Sequence, residues 1–147
     1  MSIVIVGTTA VITMALCLLL HYEVLRLLFV HSSKLKHQPR VRVGVVFATL
    51  ITTHLIEIWI FAFGYLLLNG RGSLGHIEHS ITHFLDYVYF SASVYTLLAF
   101  GEYLPVGPLA LLRRAGIVLR SVHDHVVCDL HCRYDAWILS QAVAAKR

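Results

Sequence analysis

The stretch VGVVFATLITTHLIEIWIFAFGYLLL, residues 43–68, carries a single ionised side chain, that of Glu57. As a helix rising about 1.5 Å per residue, this run is long enough to cross a hydrocarbon core of about 30 Å. Residues 3–20 form a second run, which has no ionised side chain. With 58% hydrophobic and 14% charged residues, the 147-residue chain is too apolar for an ordinary soluble domain of its length. The sequence predicts an all-α integral membrane protein with transmembrane helices in residues 1–30 and 43–68.

The first run has an alternative interpretation as a cleaved signal peptide. Such peptides begin with basic residues and end at a cleavage site made of small residues. Here the opening MSIVIVG has neither lysine nor arginine, and the exit LLLHYEVLRLLF is bulky. These features favour an uncleaved helix.

The orientation of the two helices is predicted from the basic residues that flank them. Cytoplasmic loops of membrane proteins are enriched in lysine and arginine. Basic side chains lie between the two runs at Arg26, Lys34, Lys36, Arg40 and Arg42. Residues 69–89 offer only Arg71, against Glu78 and Asp86. We therefore expect a multi-pass protein of the cell membrane, with residues 31–42 as a cytoplasmic basic loop and the N-terminus outside.

His54 and Glu57 form a candidate intramembrane polar pair in the second helix. Residues three apart lie on one face of a helix. A lone carboxylate inside a membrane is costly or stays protonated, so polar side chains at this depth usually face protein and pair with one another. A purely structural pairing and a role in gating or assembly are both open for these two residues.

Residues 69–112 are predicted to form an extracytoplasmic turn, a short helix and a loop. NGRGSLG at residues 69–75 is typical of a turn. Residues 77–95 follow a helical pattern that is too short and too polar to span, which favours a re-entrant helix. His76, His79 and His83 are spaced for one helix face, either as an external metal or proton sensor or as a solvated polar face.

The stretch YFSASVYTLLAFGEYLPVGPLALLRR, residues 89–114, carries a resemblance to a known family. The family's filter has the form T-[VL]-G-[YF]-G-[DE], with a proline three residues after the acid. LLAFGE, residues 97–102, falls on this filter, and Pro105 falls on the proline. The segment YFSASVYT is similar to the end of the family's pore helix. Residues 43–112 thus resemble the potassium-channel pore module, in particular that of small bacterial two-pore-domain-like ion channels.

The resemblance implies a homotetramer in the bacterial inner membrane, because four copies of an extended loop are needed to ring a dehydrated cation with carbonyl oxygens. It implies conduction of potassium or another monovalent cation, with the lipid bilayer as partner, no cofactor and no nucleic acid. The selectivity-filter-like residues are Thr96, Leu97, Leu98, Ala99, Phe100, Gly101 and Glu102. Leu97 lacks the hydroxyl of the family's threonine, and Ala99 replaces its first glycine. The alternative is a non-conducting degenerate channel or a membrane assembly partner.

Residues 113–147 do not resemble the long apolar inner helix that follows the filter in this family. They hold half of the chain's twelve lysine and arginine residues and no apolar window of about 18 residues. The third helix is therefore predicted to be missing or degraded, with an aberrant basic tail in its place. Read one nucleotide later, the codons from Arg113 onward can encode an apolar segment similar to that inner helix, so a frameshifted tail is one hypothesis.

The same tail has two other interpretations. It could form a basic amphipathic helix on the membrane surface. The apolar stripe of that helix would contain Leu111, Ala115, Val118, Val122, Val126 and Leu130. It also contains weak candidate metal ligands at His123, His125, Cys128, His131 and Cys132. Their nitrogen and sulfur donors suit zinc or copper, but their spacing matches no closed structural site, so a metal-binding membrane protein is the third option.

The sequence presents no nucleophile, acid–base pair or phosphate-binding loop in an arrangement that indicates catalysis. We therefore expect no enzyme activity.

Overall fold

The computed structural model describes residues 2–32, 39–69, 71–78, 81, 83–97 and 103–144. Two long helices account for the first part of the chain, α1 (Ser2–Ser32) and α2 (Pro39–Leu68). Within them, Ser2–Leu28 and Val43–Leu68 are long and apolar enough to cross a membrane. This confirms the prediction of a mostly helical chain with two helices of membrane-spanning length.

The apolar side chains of α1 and α2 are largely exposed in the isolated chain. Val4, Leu19 and Ile51 are 66%, 62% and 58% exposed, and Trp59 is half exposed. A helix in the core of a soluble protein buries such side chains, because burial stabilises the fold by about 25 cal/mol for each Å² of apolar surface removed from water. The outer faces of these two helices therefore need an apolar surrounding.

A small antiparallel sheet, which the sequence interpretation did not include, follows α2. β1 (His76–Glu78) pairs with β2 (Leu104–Val106), and Glu78 lies opposite Leu104. A 3₁₀ turn at Gly72–Leu74 leads into β1. Gly75 follows with φ of 105° and ψ of 174°, a conformation that only glycine adopts readily.

The third helix, α3 (Phe84–Tyr95), is shorter than the predicted helix of residues 77–95, because residues 76–78 belong to β1. It begins where the Asp86 carboxylate accepts a hydrogen bond from the His83 backbone N–H at 2.9 Å. Its buried residues, Phe90, Ser91, Val94 and Tyr95, lie on one face. The Ser91 hydroxyl donates to the Ile58 carbonyl of α2 at 2.8 Å. At about 18 Å, α3 is too short to cross a bilayer.

The last helix, α4 (Ala110–Ala144), begins after a 3₁₀ turn at Gly107–Leu109 and runs through the predicted boundary at residue 113 without a break. Helix formation depends on local backbone preference, so a polar sequence can continue a helix that an apolar one began. In the described part of the chain, α4 is not among the helices apolar enough to span a membrane.

The chain divides into two compact units, Met1–Ile117 and Val118–Arg147. The described residues of the second unit belong to α4. There Arg120 Nε donates to the Asp124 carboxylate at 2.8 Å. Three residues of the predicted apolar stripe, Val118, Val122 and Val126, are exposed. The side chain of Leu130 lies outside the described part.

Asn69 joins the end of α2 to β1 and α3. Its Nδ2 donates to the Tyr87 hydroxyl at 2.9 Å, and its Oδ1 accepts from the Ile77 backbone N–H at 3.0 Å. Because a part-buried donor and acceptor both lose a partner, Asn69→Ala should lower the free energy of unfolding by about 1–3 kcal/mol. Tyr87→Phe, which removes one of the two bonds, should cost less. Denaturant titration in detergent measures both, and equal losses would contradict this assignment.

Candidate functional site

A cluster of polar side chains lies among α1, α2 and α3. Glu57 is its centre, and no part of this residue is exposed. Helix α1 contributes His21, α2 contributes His54 as well as Glu57, and α3 contributes Tyr95. We call these four residues the His–Glu cluster. His21 falls within Ser2–Leu28 and Glu57 within Val43–Leu68, the two segments that are long and apolar enough to cross a membrane.

Both carboxylate oxygens of Glu57 have partners in the cluster. Oε1 lies 3.2 Å from His21 Nδ1. Oε2 lies 3.1 Å from His54 Nδ1 and accepts a hydrogen bond from the Tyr95 hydroxyl at 2.7 Å. The His21 and His54 rings are tilted toward each other with centroids 5.4 Å apart. Two imidazoles and a phenol thus satisfy one buried carboxylate.

Tyr95 also lies within hydrogen-bond distance of His54. Tyr95 Oη is 2.7 Å from His54 Nδ1. A phenol has one proton, and here it is directed at Glu57 Oε2. The Tyr95 oxygen can also accept a hydrogen bond from the tautomer of His54 that carries its proton on Nδ1. In that tautomer the three groups form a closed ring of hydrogen bonds.

The structure places His54 beside Glu57, as their spacing of three residues indicates, but it adds two residues that the sequence interpretation left out. His21 lies within the predicted helix of residues 1–30, one residue beyond the apolar run of residues 3–20, and the sequence interpretation did not include it among the candidate residues. A histidine inside a helix of membrane-spanning length is unusual, so His21 could have been identified from the sequence as a candidate residue. Tyr95 offers no such signal, because its role depends on how α3 packs against α2.

Cys17 lies one helical turn before His21 and is fully buried. Because residues four apart share a helix face, Cys17 lies on the α1 face that carries His21. This places a thiol on the same side of α1 as the His–Glu cluster.

The selectivity-filter-like segment is described only at its start. Thr96 ends α3, and Leu97 follows with φ of 58° while its backbone N–H donates to the Val94 carbonyl at 3.3 Å. A left-handed residue is a common helix terminator, although it is usually glycine and costs about 1 kcal/mol with a Cβ. Leu98, Ala99, Phe100, Gly101 and Glu102 lie outside the described residues.

The prediction that His76, His79 and His83 share one helix face is wrong for the two described residues. His76 begins strand β1, and His83 precedes the first residue of α3. Gly75 and the pairing of residues 76–78 with β2 hold this segment extended, so helical spacing does not apply. His79 lies outside the described residues.

The candidate metal ligands of the tail lie along α4. A helix turns about 200° between residues two apart, so His123 and His125 point in different directions. His123 is buried, whereas His125 and Cys128 are exposed. In the described part of the chain, neither His125 nor Cys128 belongs to a group that could hold a metal ion. The side chains of His131 and Cys132 lie outside the described part.

The His–Glu cluster is therefore the best-formed candidate site among the described residues. One ligand atom from each of His21, His54 and Glu57 lies within 4.8 Å of the others. Such a group can exchange protons, hold a buried carboxylate or bind a cation.

The chain matches no protein-family model, no curated protein and no solved structure.

Proposed function

We propose that the protein is an ion-channel-like membrane protein in which the segment between β1 and β2 forms a pore loop. The observation that supports this most directly is the pairing of β1 with β2. Glu78 and Leu104 lie opposite each other, so the chain that leaves after β1 returns to the same place before α4. A segment that enters and leaves on one side is the topology of a re-entrant loop.

The packing of Tyr103 supports the same proposal. Its ring centroid lies 6.0 Å from that of Tyr89 and 6.3 Å from that of Phe90, both of which belong to α3. At Tyr103 the chain thus lies against α3. A short helix followed by a loop that folds back on it can present backbone carbonyls at the loop's tip.

The exposed apolar faces of α1 and α2 support a location in the membrane. Their outer surfaces carry large aliphatic and aromatic side chains, while polar groups such as Glu57 face inward. This distribution suits helices surrounded by lipid tails. A bacterial inner membrane and an N-terminus outside follow from the resemblance and from the basic residues of the first loop.

Conduction requires more than one copy of the chain. One loop supplies only part of a ring of oxygens, so the proposed pore is a homotetramer with the loops around a central axis. Potassium or another monovalent cation is the proposed permeant ion. Leu97 in place of threonine and Ala99 in place of glycine weaken discrimination among these ions.

Flux through purified, reconstituted protein tests this proposal. Liposomes that contain the tetramer should release potassium, and sodium nearly as fast. The double substitution Leu97→Thr/Ala99→Gly should raise potassium flux relative to sodium flux, because it restores the family's hydroxyl and its glycine. Leu85→Thr, an exposed position on α3, serves as the control and should leave the ratio unchanged.

Absence of flux from verified tetramers would reject the channel and favour the non-conducting alternative. The polar composition of α4 is the observation that favours that alternative, since it leaves the proposed pore without an apolar inner helix. A lack of flux could come from the altered filter or from the polar tail. A gene shifted by one nucleotide after the Leu112 codon distinguishes these two causes. Flux gained only by the shifted gene product would assign the loss to the tail.

A further inference from the structure

The His–Glu cluster has nitrogen ligands, a buried carboxylate and close spacing between them. A potassium pathway requires none of these features. We propose that His21, His54 and Glu57 bind one divalent transition-metal ion, of which zinc fits the donor set best. The site links α1 to α2, so the bound ion would join the two membrane-spanning helices. Its three ligands lie outside the proposed pore loop, whereas Tyr95, which contacts Glu57, lies within the segment between β1 and β2.

The distances in the cluster match those between ligands of one metal ion. Zinc binds imidazole nitrogen and carboxylate oxygen at about 2.0–2.2 Å, so two ligands at tetrahedral corners lie about 3.3 Å apart. His21 Nδ1 lies 3.2 Å from Glu57 Oε1, and His54 Nδ1 lies 3.1 Å from Glu57 Oε2. Each histidine is thus already at ligand spacing from the carboxylate. The ion would enter where side-chain rotation brings both nitrogens and a carboxylate oxygen to about 2.0–2.2 Å from one point.

The charge of the site also favours a cation. Glu57 is fully buried and His21 is 3% exposed, both inside segments of membrane-spanning length. Burial of a carboxylate in such a place is costly unless a positive group compensates it. Arg26, the basic residue within Ser2–Leu28, pairs with the exposed Glu23 at 3.2 Å. A divalent ion bound by Glu57 and the two imidazoles would place positive charge directly beside the buried carboxylate.

Tyr95 acts as a positioning residue in this proposal. Its hydroxyl donates to Glu57 Oε2 at 2.7 Å and so fixes the rotation of the carboxylate. Groups that hydrogen-bond to metal ligands orient them, and their loss typically lowers metal affinity by about 10–100-fold. Two histidines and one carboxylate, with a further position open, form a known type of zinc site. Sodium and potassium prefer all-oxygen sites, so they would not be selected here.

The test measures metal bound by the full chain, purified in detergent without a histidine tag. After treatment with a chelator and addition of zinc chloride, we expect one zinc per chain. Cobalt(II) chloride should give the visible absorption bands of a four-coordinate site. Glu57→Gln and His21→Gln should each weaken zinc binding by at least about 100-fold, because removal of a ligand exceeds the loss of an orienting group. Tyr95→Phe should weaken it by about 10–100-fold.

His31→Gln provides the matched control, because His31 is an exposed histidine of the same helix as His21. It should leave zinc affinity and the cobalt spectrum unchanged. Circular dichroism checks that each variant keeps its helices. The proposal is overturned if the wild-type chain binds neither zinc nor cobalt, or if a folded Glu57→Gln variant binds as tightly as the wild type.

Discussion

Glu57→Ala is expected to lower the free energy of unfolding by about 3 kcal/mol or more. The side chain is fully buried. One of its oxygens contacts His21, and the other contacts His54 and Tyr95. Alanine removes the acceptor for all of these groups at once. Each buried polar group that loses its partner costs about 1–3 kcal/mol, so the losses accumulate across two helix contacts.

Glu57→Gln should cost much less, because glutamine can replace the hydrogen bonds. Its oxygen can accept from the Tyr95 hydroxyl, and its amide can donate to His21 Nδ1 in the tautomer that accepts. The measurement is a denaturant titration in detergent with a chelator present, which removes any contribution from bound metal. If glutamine is as damaging as alanine under these conditions, the negative charge itself stabilises the fold.

Glu23→Ala is the control for this comparison. Glu23 lies on α1, its side chain is 54% exposed, and its partner Arg26 is 3.2 Å away. Exposed ion pairs contribute little, so the change should stay within about 0.5 kcal/mol. A loss at Glu57→Ala no larger than at Glu23→Ala would show that the His–Glu cluster contributes nothing to stability.

The two long helices could be predicted from the sequence because the signal is local. Membrane-spanning length and apolar composition are read from consecutive residues, and both runs lie within α1 and α2. The spacing of His54 and Glu57 is local in the same sense. Half of the cluster could therefore be identified before the helices were placed relative to one another.

The rest of the cluster and the sheet depend on contacts between distant residues. Strands β1 and β2 have three residues each, too few for an alternating pattern, and each pairs with a strand far along the chain. His21 and Tyr95 reach Glu57 only through helix packing. The boundary predicted at residue 113 rests on a change in composition, which does not fix where a helix begins or ends, and α4 continues through it.

Gly75→Ala is expected to destabilise the β1–β2 pairing, with a loss of about 3 kcal/mol or more in the free energy of unfolding. Gly75 has φ of 105° and ψ of 174°, in a region that residues with a Cβ essentially avoid at a cost of about 1–3 kcal/mol. An added Cβ would also overlap the Val106 carbonyl oxygen, a backbone atom of the partner strand, and lie 3.0 Å from Leu109 Cβ. Because the obstacle is backbone, a side-chain rotation cannot relieve it.

Gly7→Ala is the matched control, since a Cβ on this α1 residue meets nothing within 4 Å. Alanine in a helix is at least as favourable as glycine, so this variant should be neutral or slightly more stable. Denaturant titration in detergent compares the two variants. Hydrogen exchange then locates the change, and Gly75→Ala should speed exchange at residues 76–78 and 104–106 more than in α1.

Hydrogen exchange and potassium flux in the Gly75→Ala variant together test whether the β1–β2 pairing holds the proposed pore loop in its conducting form. If the β1–β2 pairing holds the two ends of the proposed pore loop together, Gly75→Ala should abolish potassium flux in reconstituted tetramers while α1 and α2 stay helical. Faster exchange at both strands without a change in flux would mean that the loop keeps its conducting form independently of the sheet. Unchanged exchange at both strands would contradict the strain assigned to Gly75, because the chain would then have absorbed the Cβ without opening the pair.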